Sequence, residues 1–162
     1  MENIGFQDYL AWKALAFEWA DSIDKKDWDR LRNILTPKLL VDYSMLGQPS
    51  TPDMESDAFI AWMSSPDFVG DPLVRTQHLL GAVSYEYVSE DEITAIHQIR
   101  AAHQRYSDDT LATVAYHAHG YGNIQHWYKR VEGAWKLSGL RPEMYWSEND
   151  LSKIFSRQGP AS

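Results

Sequence analysis

Residues 74–146 read as four long extended segments in succession, about 74–88, 92–106, 112–131 and 135–146, the last entered through a Glu132-Gly133 turn. The first part of the chain has the other period. Phe6, Leu10, Ala14 and Phe17 fall on one helical stripe that Tyr9, Trp12, Ala16 and Trp19 widen, which predicts a helix over about 5–22 buried on much of its circumference. Helices first and strands afterwards argue for an α+β fold, with the helices packed on a curved, antiparallel-rich sheet.

The connecting pieces carry local signals. Asp24 reads as a helix start, with Asp27 adding negative charge to the first turn of a helix that runs to about Leu35 and is closed by Pro37. Leu39 to Tyr43 reads as a strand, residues 47–52 as a loop, and residues 56–64 as a short helix with Phe59, Ile60 and Met63 on one side. A second loop spans 65–72. Glu148 to Phe155 has the pattern of a short amphipathic helix, with Leu151, Ile154 and Phe155 together.

At 162 residues, with 44% apolar side chains and seven tryptophans, the chain suits one domain over residues 1–162 with one core. It has no apolar run of the ~18 residues that a membrane span needs, and Met1-Glu2-Asn3-Ile4 lacks the basic start of a secretory signal. The absence of cysteine excludes disulfides and thiolate chemistry and fits a reducing, cytoplasmic compartment. A formal charge of -8, with lysines and arginines scattered, argues against nucleic acid as a partner and for solubility.

Four distant stretches each hold one residue capable of acid–base chemistry: Asp24 in Ile23-Asp24-Lys25-Lys26-Asp27-Trp28, Tyr43 in Val41-Asp42-Tyr43, His78 in Arg75-Thr76-Gln77-His78, and His103 in His103-Gln104-Arg105-Tyr106. An imidazole exchanges protons near neutral pH, and a carboxylate on its far nitrogen fixes its tautomer and stabilises its charge. A phenol is a donor that can polarise a carbonyl. Taken singly, each has a plainer reading: a helix cap for Asp24, core histidines, and a half-buried strand tyrosine.

The surroundings of these residues resemble the scytalone dehydratase family of fungal enzymes. The likeness runs from about Phe6 to Phe155 and includes Glu18-Trp19-Ala20-Asp21-Ser22, Gly70-Asp71-Pro72, Val88-Ser89-Glu90-Asp91-Glu92, His126-Trp127-Tyr128-Lys129 and Gly139-Leu140-Arg141-Pro142. The resemblance implies a cone-shaped, nuclear-transport-factor-2-like fold, its helices and mostly antiparallel sheet enclosing a deep pocket with segment 147–162 as a lid. It implies that His103, His78, Asp24 and Tyr43 are catalytic, with Asp24 bonded to His103 and His78 facing it across the pocket. It also implies that Leu46, Trp62, Phe68, Val69, Pro142, Leu151 and Phe155 wall the cavity.

The chain departs from the family pattern where a second tyrosine is replaced by Ile23, and where Gly122 and Ile124 stand in place of a serine and an asparagine. These three join the expected substrate-binding set. The resemblance implies a cofactor-independent lyase that removes water from a cyclic hydroxylated ketone or aromatic polyketide intermediate. The alternatives are an isomerase or ring-closing cyclase in the same pocket, or a non-catalytic binding protein. A small-molecule substrate and a homo-oligomer, a trimer by resemblance, are the implied partners.

His117-Ala118-His119 with His126 invites a metal reading, because alternate strand residues share a face. No carboxylate at a fitting distance is evident, and the resemblance assigns these side chains to strand pairing or the outer surface. No metal is expected.

Overall fold

The computed structural model describes residues 5–155. Helix α1 (Phe6–Lys25) buries Trp12, Leu15, Ala16, Trp19, Ala20 and Ile23, so its inward stripe is the tryptophan-bearing one. The stripe expected through Phe6, Leu10 and Phe17 faces outward, with those rings and chains exposed. The two indoles decide the orientation because each covers more apolar area than any side chain on the other stripe.

Helix α1 runs one turn beyond the expected boundary. Lys26 adopts a left-handed φ of 56°. Its N–H bonds the Ile23 carbonyl at 3.0 Å, while the Asp27 N–H bonds that of Ser22 at 2.8 Å. This paired closure ends a helix with no glycine present. Asp27 then caps α2 (Trp28–Ile34) by accepting from the Arg30 N–H at 3.1 Å. Asp24 is therefore not a cap. It lies in the last turn of α1, with its carboxylate free to reach the sheet.

Pro37 does not close a helix but sits inside β1 (Leu35–Val41). Pairing of β1 with β6 (Ala134–Glu148) jumps from Leu35↔Leu137 to Leu40↔Gly139, and this irregularity accommodates the missing N–H. The stretch expected as loop ends in an edge strand, β2 (Thr51–Glu55), where Pro52 is tolerated for the same reason. Tyr43 follows β1 and precedes a 3-10 turn, Ser44–Leu46. Helix α3 (Ser56–Met63), β3 (Val74–Ser89), β4 (Glu92–Tyr106) and β5 (Val114–Val131) fall close to their expected bounds, and α4 is reduced to Ser152–Phe155.

The six strands form one sheet in the order β2-β1-β6-β5-β4-β3, parallel only between β1 and β6. Bulges at Leu80/Val83, Tyr121/Gly122 and Trp127/Tyr128 bend it. Between β4 and β5 the register is unbroken from Glu92↔Lys129 to Arg105↔Tyr116. Ile93, Ala95, His103, Ala118, Ile124 and Tyr128 therefore share the inner face, and all are buried. Helix α1 covers one half of that face, where Trp12 meets Trp135 at 5.3 Å and Trp19 meets His126 at 4.8 Å between ring centres. Over the other half the sheet is roofed by the 65–72 loop and by residues 151–155. A chamber remains beneath them.

Candidate active site

The chamber has apolar walls and a few polar groups, with an empty space of about 710 Å³ including its mouth. Of the expected wall residues, Leu46, Phe68 and Val69 line it from the connecting segments, Gly122, Ile124 and Pro142 from β5 and β6, and Leu151 and Phe155 from the end of the chain. Two expected members do not. Ile23 is wholly buried in the main core. Trp62 stands behind the wall, stacked on Phe68 at 4.8 Å and edge-on to Tyr43 at 5.0 Å.

Trp19, Met45, Met63, Ile99, Ala101 and Met144 also line the chamber and were not anticipated. For Ile99 and Ala101 the signal was available, since they alternate with His103 along β4. The lid expected at 147–162 is described as far as Phe155, which covers His103 with ring centres 5.5 Å apart. The remainder of that expectation lies outside the described residues.

Three of the four acid–base candidates, Tyr43, His78 and His103, line the chamber, and Asp24 stands behind His78 and not beside His103 as expected. The Asp24 carboxylate holds His78: Oδ1 is 2.7 Å from the imidazole Nδ1, and Oδ2 accepts the His78 backbone N–H at 2.8 Å. Thr76 Oγ1 donates to Oδ1 at 2.8 Å. The pairing follows from the helix boundary, because the last turn of α1 lies over the start of β3. Burial works to raise the Asp24 pKa, but the hydrogen bonds and charge of His78, with Thr76, outweigh it and hold the carboxyl below its usual value. Ionised Asp24 therefore accepts from Nδ1–H, leaving Nε2 as the acceptor nitrogen of His78.

His103 lies across from this pair, its ring centre 6.1 Å from that of His78 and nearly perpendicular to it. Burial and then the nearby His78 lower its pKa to about 4; the Ala118 and Ala101 carbonyls oppose the shift. Its Nδ1 is buried and has no hydrogen-bond partner. His103 is neutral at pH 7. Tyr43 is 8% exposed and borders the chamber; burial pushes its phenol well above the usual value, so it remains a donor.

Outside this set, the Lys26 ammonium donates to the Val69 carbonyl and pins the 65–72 loop. Burial, then the Arg75 charge, lower its pKa to about 8. Below Trp19 lies a buried polar layer in which His126 Nδ1 meets the Tyr128 hydroxyl at 2.9 Å and His97 approaches the same hydroxyl at 3.5 Å. His126 is thus a core residue on the inner face, not an outer one. His117 and His119 do face outward. Among the described residues, the only histidine and carboxylate group with metal-ligand proximity is His117, His119 and Glu148, on the opposite face of the sheet from the chamber.

The sequence profile of the scytalone dehydratase family matches residues 3–161. The chain is 47% identical over 159 residues to scytalone dehydratase arp1 of Aspergillus fumigatus, covering 98% of this chain and 95% of that one. It is 43% identical over 154 residues to scytalone dehydratase of Pyricularia oryzae, covering 95% and 90%. Among solved structures, the Kfla4162 protein from Kribbella flavida superposes with a TM-score of 0.77 at 19% identity, over 91% of this chain and 96% of that one. The fold is the nuclear-transport-factor-2-like cone, and the chain belongs to the scytalone dehydratase family.

Proposed function

We propose that the protein is a lyase that removes water from a cyclic hydroxylated ketone of the aromatic polyketide class, with no cofactor taking part. The observation that carries this reading is His78, held from behind by Asp24, facing His103 across one apolar chamber that Tyr43 also borders. The fungal relatives named as scytalone dehydratases support it.

The geometry divides the work. His78 Nε2 takes the proton next to the ketone, and the positive charge that results is held by Asp24. Tyr43 donates to the ketone oxygen as enolate charge develops. The enolate electrons then re-form the carbonyl and expel the hydroxyl, which leaves as water with the proton now carried by His78. His103 cannot supply that proton near neutral pH, since a neutral imidazole would have to become an anion. Its part is to hydrogen-bond the leaving hydroxyl from the wall that faces His78.

A second reading stops at the first half. Proton removal without a departing hydroxyl gives an isomerase or cyclase, and this reading is favoured because Tyr43 borders the chamber without the second tyrosine of the family pattern, Ile23 being packed in the core. Incubation with a panel of hydroxylated tetralones and anthraquinone precursors, read by mass, separates the two. Elimination lowers the product mass by one water. A product of unchanged mass selects isomerisation, and ligand binding without turnover, equally tight after Asp24→Asn, selects a binding protein. A homo-oligomer suits the exposed Leu79, Ile96, Tyr145 and Trp146.

A further inference from the structure

His117 and His119 lie two residues apart on β5, and Glu148, the last residue of β6, is the direct cross-strand partner of His119. One nitrogen of each imidazole and one carboxylate oxygen come within 4.8 Å of one another. Two of the three are exposed, so the group is open to solvent. His119 Nδ1 is nevertheless shielded and has no hydrogen-bond partner. The carboxylate is already oriented, because the Tyr121 hydroxyl donates to Glu148 Oε2 at 3.2 Å.

We propose that His117, His119 and Glu148 form a binding site for a divalent transition-metal ion, of which zinc is the representative, on the outer face of the sheet. Two imidazoles and a carboxylate are the donor set that borderline ions prefer over calcium or magnesium, with water completing the shell. Around a tetrahedral ion with bonds of about 2.1 Å the donors stand roughly 3.4 Å apart, and rotation of the exposed His117 and Glu148 side chains closes the difference without moving the backbone. The carboxylate that the amino-acid sequence alone did not reveal comes from a residue 29 positions beyond His119, delivered by the β5–β6 register.

The position gives the site a consequence. Glu148 is followed directly by the segment that roofs the chamber, and the next residue, Asn149, already bonds the His117 carbonyl at 3.1 Å. An ion held between β5 and Glu148 fastens the root of that roof from outside.

The test uses the full chain after chelator treatment. Titration with Co²⁺ is expected to produce a saturable visible ligand-field absorption at one ion per chain, displaced by Zn²⁺. Glu148→Gln and His119→Ala each abolish it, while His97→Gln, on the inner face, retains it. Zn²⁺ also slows amide exchange over residues 149–155 in the wild-type chain and not in Glu148→Gln. Absence of saturable binding, or binding that survives both ligand substitutions, overturns the proposal. Metal binding is read without any substrate, so the outcome stands apart from the enzymatic reading.

Discussion

Asp24 is bonded to His78 and not to His103: its Oδ1 lies 2.7 Å from His78 Nδ1, and the imidazole of His103 has no carboxylate partner among the described residues. The first prediction follows. Asp24→Asn removes the charge that stabilises protonated His78 and is expected to lower kcat by roughly 10²- to 10⁴-fold, the usual worth of a placed acid–base group. His103→Gln keeps a donor in the chamber and should lose about tenfold or less, the value of one hydrogen bond. Steady-state kinetics on both variants, with circular dichroism to confirm folding, decide it. Equal losses would return the central role to His103.

The buried histidines make stability depend on pH with a definite sign. Burial lowers the pKa of His103 and His97 to about 4 from an ordinary 6.5, and it also lowers that of His126 well below 6.5. Between those values the unfolded chain binds protons that the folded chain refuses. Their contribution is therefore complete above about pH 6.5 and is lost as the pH falls toward 4, at on the order of 1–3 kcal/mol each for His103 and His97, with His126 acting in the same direction. Asp24, whose pKa is also lowered, loses its contribution in the same direction at lower pH. Urea unfolding at pH 7.5 and pH 5 checks this: the midpoint should fall with acid, and His97→Gln should flatten the dependence by about one proton.

Much of this architecture is legible in the amino-acid sequence, and the departures have physical causes. The four long strands and the Glu132-Gly133 turn were readable because their segments exceed any competing helical pattern. The α1–α2 boundary was misplaced by one turn because Lys26 occupies a left-handed position that sequence patterns reserve for glycine or asparagine. The expected pairing of Asp24 with His103 came from the family resemblance, and only the packing of the last turn of α1 over the start of β3 shows the partners to be Thr76 and His78. Most of the expected wall residues line the chamber; Trp62 lines the adjoining space with Leu46 and Phe68 while Ile23 packs in the core, because neighbouring core and cavity positions share the same apolar chemistry. Glu148 could not be associated with His117 and His119 without the β5–β6 register.

Arg105 joins the roof to the frame. Its Nη1 and Nη2 bond Asp71 Oδ2 at 3.0 and 2.8 Å, and its Nε donates to the Ile154 carbonyl at 2.8 Å. Lysine keeps the charge but cannot serve both partners in this geometry. Arg105→Lys should therefore leave Asp71 paired while releasing α4, which lies over His103 through Phe155. The expected result is faster amide exchange over residues 150–155 and a raised KM with kcat less affected. Unchanged exchange would show that Ile154, buried against Val74 and Ala118, holds the roof by packing alone.

The two substitutions on β5 differ in what they permit. A side chain at position 122 would place its Cβ 1.9 Å from the Glu143 carbonyl oxygen, so β6 must move to admit one. Gly122→Ser should accordingly destabilise the protein by about 1–3 kcal/mol, as overpacking does. Ile124 is 1% exposed and opposes Pro142, which offers no N–H on that side. The direct neighbour of Ile124 across on β4 is the buried His97, whose Nε2 already lies 3.5 Å from the Tyr128 hydroxyl, so an amide competes within a buried polar layer and Ile124→Asn costs about 1–3 kcal/mol of stability. Part of that returns when a ligand hydroxyl pairs with the amide. Binding of a hydroxylated ligand should improve over its deoxy analogue by roughly 5- to 100-fold relative to the wild-type ratio, measurable as paired dissociation constants. If the ratio is unchanged in Ile124→Asn while the variant folds, that end of the chamber does not contact the ring substituents, and the substrate must bind closer to Phe68 and Phe155.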